Sequence, residues 1–149
     1  MNLTLFLLLA AGIPDQSQLQ LQGNHFNNYH RALHAARDAA KPLLIILDSA
    51  PRTKAVSLES VRKTKERRDL LKNYVVVVID TKTPHGQIVH KAYAKPKLPH
   101  VVVLDKQQRY QIFTTSDDLY GQRWTSILQT YRNGVRVIPR PVSYCPNCR

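Results

Sequence analysis

Three short apolar runs constrain the fold of this chain more than any other feature: LLIIL at residues 43–47, YVVVVI at 74–79 and VVVL at 101–104. A bilayer-crossing helix takes about 20 apolar residues, so none of them spans a membrane. None shows the polar alternation of a strand with one wet face, and unbroken runs of this length mark strands covered on both sides. Between the first two runs, residues 53–72 are polar but hold Ala55, Val56, Leu58, Val61, Leu70 and Leu71, which reads as a helix. Residues 64–69 contain no apolar side chain, so that helix is expected to break or shift near Thr64. Strand, helix and strand make a βαβ unit, with parallel pairing and a right-handed crossover.

The outer elements follow from periodicity and punctuation. Phe26, Tyr29, Leu33, Ala36 and Ala40 recur at three- and four-residue spacing, predicting a helix from His25 to about Lys41-Pro42. Thr83-Pro84-His85-Gly86 reads as a loop, and Ile88, Val89, Ala92 and Tyr93 as a short helix after it. The third apolar run is entered directly from Pro99. Residues 105–109, DKQQR, then form a turn, and residues 110–113 alternate as the second arm of an antiparallel hairpin. Leu119, Trp124, Ile127, Leu128 and Tyr131 mark a closing helix that ends at Asn133-Gly134. The sum is α-β-α-β-α-β-β-α, an α/β domain with a four-stranded mixed sheet and helices on both faces. The 149 residues, 43% hydrophobic and 21% charged, suit one such domain, placed at 25–132.

The flanks differ in character. Residues 2–13, NLTLFLLLAAGI, are apolar and followed by small residues, so residues 1–12 read as a secretory signal cleaved near Ala11 or Gly12. Against that reading, no Lys or Arg precedes the apolar run; the alternative is a greasy segment packed on the domain. Residues 13–24 form a polar leader. Residues 133–149 form a Pro-rich arm ending in CPNCR. A periplasmic or secreted protein is the expectation.

Charge is the unusual part of the composition: 22 Lys and Arg against 10 Asp and Glu, a net +12. Such a surface attracts polyanions through long-range, salt-sensitive forces without specifying which. No basic stripe is interleaved with aromatics, so there is no nucleic-acid fingerprint. A protein or extended peptide of acidic character is the expected partner; a generally basic background is the plain alternative.

Reactive constellations are few. The five glycines are isolated, so no phosphate loop exists, and the carboxylates are too scattered to nominate an acid–base pair. His30 and His34 stand at i, i+4 with no Glu between them, which fails the metalloprotease pattern and reads as a solvated helix face. The only cysteines are Cys145 and Cys148. Three readings stay open for them: a disulfide closing too short a loop to be an important staple, a zinc knuckle completed by His85 and His90 or a second chain, and a redox dithiol. No helix follows Cys145 to lower its pKa; Arg149 is the one positive charge nearby.

In order and local signature the chain resembles the thioredoxin-like family over residues 25–132. YHRALHAARDAAKPLLIILDS is similar to the family's helix, Lys-Pro and first core strand; LLKNYVVVVID to the end of the long helix and the second strand; KLPHVVVLDKQQR to the segment holding a cis-proline before the third strand. The resemblance implies a Cys-x-x-Cys in the turn after the first core strand, its first thiol activated at a helix N-terminus. Here that turn reads Asp48-Ser49-Ala50-Pro51-Arg52-Thr53-Lys54, with Pro51 and Lys54 where the family has cysteines. Disulfide exchange needs one thiolate to attack and another thiol to resolve the mixed disulfide, so the reaction cannot start there.

Ser49 as an activated nucleophile would need an adjacent base. Asp48 precedes it, but neighbouring strand residues point to opposite faces. Ser49 or Thr53 is better read as a helix cap. The resemblance further implies that Pro99 is cis and that the groove beside Leu98 and Pro99 receives an extended peptide by backbone pairing. His100 reads as a pairing or core-edge residue. The residues together favour a non-catalytic binding module using Ser49, Pro51, Arg52, Thr53, Lys54, Leu98 and Pro99, without a cofactor. The rivals are a weak thiol–disulfide oxidoreductase built on Cys145 and Cys148, and an envelope protein that binds anionic polymer by charge.

Overall fold

The computed structural model describes residues 25–49, 58–117 and 119–137. In chain order its elements are β1 (His25–Phe26), α1 (Tyr29–Asp38), β2 (Leu43–Asp48), α2 (Leu58–Val61), α3 (Lys65–Leu71), β3 (Val75–Asp80), α4 (Pro84–Ala92), β4 (His100–Leu104), β5 (Gln111–Thr115) and α5 (Gln122–Tyr131). The strands form one sheet in the order β1-β3-β2-β4-β5. β2 and β3 pair in parallel from Leu43 opposite Val75 to Asp48 opposite Asp80. β4 runs antiparallel to β2, and β5 antiparallel to β4. The four expected strands make up this mixed sheet, and β1 adds a two-residue parallel pairing with β3 at its edge.

Because successive strand residues face opposite sides, each apolar run feeds two cores. Leu44, Ile46, Val76, Val78, Val101 and Val103 pack with Val61, Leu71, Trp124, Ile127 and Leu128 from α2, α3 and α5. Leu43, Ile45, Leu47, Val75, Val77, Ile79 and Val102 pack with Ala32, Ala36 and Val89 from α1 and α4. This two-sided covering is why the runs carry no polar alternation.

Element ends show where periodicity misleads. Phe26 belongs to β1, not to the first helix, because Asn28 caps α1 by accepting the Arg31 N–H at 3.1 Å. The helix after β2 breaks as expected: Thr64 caps α3, accepting the Arg67 N–H at 3.2 Å. Residues 83–86, read as a loop, instead open α4, with the Thr83 hydroxyl accepting the Gly86 N–H at 3.0 Å and Pro84 in the first turn. Proline's fixed φ suits that first turn. Gly86 sits inside the helix because a Cβ there would overlap the Asp80 carbonyl. A register shift between Val103 and Leu104 moves the start of β5 from Tyr110 to Gln111. Gly121, at φ 47, delays α5 to Gln122 although Leu119 is already buried.

Candidate functional site

In open α/β sheets ligands gather at the carboxyl ends of the parallel strands. Here those ends are Asp48 of β2 and Asp80 of β3, which lie opposite one another. The β2–β4 ladder closes with Leu47 opposite His100. Asp48 ends β2 one residue past this pair, and Pro99 immediately precedes His100 at the start of β4.

Short-range polar contacts fix this edge. Asp48 is buried, and its Oδ1 accepts the Ser49 N–H at 2.7 Å. Its carbonyl accepts from the Thr81 N–H at 2.8 Å and the Thr81 hydroxyl at 3.0 Å, which locks the exit of β2 to that of β3. The Leu98–Pro99 peptide bond is cis. Both residues are half-buried, and Leu98 packs against the core beneath α1 and α4.

His100 has partners the sequence did not disclose. Its Nδ1 lies 2.7 Å from the Ser116 hydroxyl and its Nε2 3.0 Å from the Thr114 hydroxyl. Burial, with a smaller contribution from the charge of His90, pushes the imidazole below the ordinary histidine range. The ring is therefore held neutral, and a neutral ring needs one donor and one acceptor, which two hydroxyls supply in either tautomer. The available signal was the two-residue alternation of Thr114 and Ser116, but it needed the shifted hairpin register to be read.

Of the sequence-predicted binding residues, Ser49 follows β2 and Leu98 and Pro99 precede β4, at the same end of the sheet. Pro51, Arg52, Thr53 and Lys54 lie outside the described residues, as do Cys145 and Cys148. The histidines considered as metal ligands are dispersed in role. His85 Nε2 accepts the Tyr29 N–H at 3.2 Å, at the start of α1, and His90 Nε2 lies 2.9 Å from the Pro96 carbonyl. His30 and His34 are exposed on α1. Among the described residues no three His, Cys, Asp or Glu side chains converge as metal ligands would. No helix among them is long and apolar enough to cross a membrane.

No protein-family model matches the chain, and no curated protein matches it in sequence. Solved structures do match in shape. A thioredoxin from Thermus thermophilus superposes with a TM-score of 0.63 at 18% identity, over 74% of this chain and 88% of that one. A disulphide isomerase from Xylella fastidiosa Temecula1 gives 0.54 at 21% identity, over 68% and 86%. A germline-specific thioredoxin from Drosophila melanogaster gives 0.53 at 19% identity, over 72% and 95%. The chain has the thioredoxin-like fold.

Proposed function

We propose that this chain is an exported thioredoxin-like binding module that holds an extended, acidic segment of a protein partner along the Ser49–Leu98–Pro99 edge, without thiol chemistry there. One observation carries the reading: the first cysteine of the chain is residue 145, so the segment SAPRTK at 49–54, next in sequence after β2, contains no sulfur. Without a thiol there the domain has no group to start disulfide exchange, which leaves the proposed edge to binding alone. The net charge of +12 supports an acidic partner. Export rests on the apolar segment at 2–13.

Selection from a library of extended peptides tests the reading. The expected result is a set of acidic peptides that compete with one another and are rejected by Ser49→Arg and Leu98→Glu, with the fold of both variants checked by circular dichroism. Peptides bound equally well by both variants would refute the edge. Binding that collapses between low and moderate salt whatever the polyanion would favour the rival charge-only polymer binder.

A second reading is kept by the CPNC sequence, whose spacing is that of a redox pair. Insulin reduction that depends on Cys145 and Cys148 would establish it in place of the first. Zinc analysis of protein purified without chelator tests the metal reading of the same pair.

A further inference from the structure

At the opposite end of the sheet from Ser49 and Pro99, an open pocket of about 590 Å³ is lined by Arg37, Ala40, Lys106, Gln107, Gln108 and Arg109. Leu43 pairs with Leu104, so the α1–β2 and β4–β5 turns meet here, a β2 length of roughly 20 Å from the first edge. Among the described residues three cations line the pocket and no acid does. Among the described residues the side chains of Arg37, Lys106 and Arg109 take part in no ion pair or hydrogen bond. Asp105, the acid nearest in sequence to the β4–β5 wall, has its Oδ1 committed to the Arg109 and Tyr110 N–H groups at 2.7 and 2.9 Å. Asp38 is exposed and is not part of the lining.

The walls are tied together rather than merely adjacent. Gln108, at φ 59, donates from Nε2 to the Lys41 carbonyl at 3.0 Å and also approaches the Lys106 carbonyl at 3.4 Å. This bond crosses from one turn to the other. Ala40, at φ 49, shapes the first turn, and the Lys41 N–H returns to the Ala36 carbonyl at 2.9 Å. Gly134, just after α5, lies so close that a Cβ there would stand 2.5 Å from Lys106 Cγ and 3.0 Å from Lys106 N. The lysine stem is thus braced from a third element. Three like charges facing one concavity repel one another and gain only when an anion enters. The backbone walls are fixed before binding, while the exposed Arg37 and Arg109 side chains have no partner among the described residues to hold them until an anion enters.

We infer that this pocket binds the diphosphate group of a small ligand. Guanidinium forks match phosphate oxygens bidentately and the lysine adds a point charge. A space of about 590 Å³ lies within the range of small-molecule sites and exceeds a single phosphate or sulfate, so the larger and more highly charged diphosphate suits a lining of three cations.

Calorimetry and amide-shift mapping with inorganic pyrophosphate, at a fixed ionic strength of about 0.15 M, test it. The expected result is saturable one-to-one binding with shifts centred on residues 37–41 and 105–109. Lys106→Gln and Arg109→Gln should each weaken it about tenfold, and Arg37→Gln/Arg109→Gln about a hundredfold, with the melting temperature unchanged. Lys97→Gln, at the far end of the sheet, should leave it untouched. Shifts spread over the whole basic surface, equal loss in Lys97→Gln, or sulfate competing as well as pyrophosphate would each overturn the assignment. None of these results bears on the Ser49–Pro99 edge.

Discussion

His100 is a buried imidazole whose two nitrogens meet hydroxyls rather than a carboxylate, and its protonation works against the folded state. Its pKa in the fold is lowered, first by burial and then by His90. The native protein therefore holds fewer protons at this site than the unfolded chain, whose histidines titrate near about 6.5. Its contribution to stability is complete above that value and is lost as pH falls below it toward the folded pKa. The slope has a ceiling of about 1.4 kcal/mol per pH unit for one group. Urea unfolding from pH 8 to 5 should show a shallower loss of stability in His100→Gln than in the parent chain, since the amide still reaches a hydroxyl and does not titrate. Parallel curves would show that His100 does not carry this dependence.

Small local contacts join α2 to α3 and fix where α4 packs. α2 and α3 are joined through Arg67, which is 5% exposed, donates to the Ser60 carbonyl at 2.8 Å and meets the Thr64 hydroxyl at 3.2 Å. That hydroxyl also caps α3, so Thr64→Ala removes two contacts and should cost about 1–2 kcal/mol in chemical unfolding, where a surface threonine would cost a few tenths. In α4 the constraint is steric. Gly86→Ala drives a methyl into the Asp80 carbonyl and Thr81 Cα, at the exit of β3, and should destabilise by about 1–3 kcal/mol despite alanine's better helix propensity. Stabilisation by that substitution would contradict the packing.

These examples also show what the sequence made legible. The three apolar runs disclosed the inner strands because burial on both faces leaves a one-dimensional signature. The break near Thr64 is visible as an apolar gap over residues 64–69, whereas the capping role of Thr64 comes from the structure. The Thr-Pro start of α4 was read as a loop because glycine in a helix interior is explained only by a contact from another strand. His100's hydroxyl partners depended on a register shift that no local pattern announces. Of the candidate edge, Ser49, Leu98 and Pro99 were named from a resemblance; the roles of Asp48 and Thr81 in fixing it emerged only from pairing across β2 and β3.

For the whole molecule, both faces of the sheet are covered by helices, and the two proposed binding regions lie at its ends. One end carries the Ser49–Leu98–Pro99 edge, and the other the three-cation pocket, so the two can be perturbed independently. Net charge of +12 will speed encounter with acidic partners at low salt, and association rates should fall more steeply with ionic strength than dissociation rates rise.

The central claim is that the edge beside β2 binds a protein without exchanging electrons with it. Affinity capture from the native compartment without reductant tests this directly, comparing the parent, Leu98→Glu and the Cys145→Ser/Cys148→Ser double variant. The account predicts one partner held by the parent and by the double variant, absent from Leu98→Glu, and released by detergent alone. A partner released only by reductant and missing from the double variant would place thiol chemistry at the centre of this protein's function.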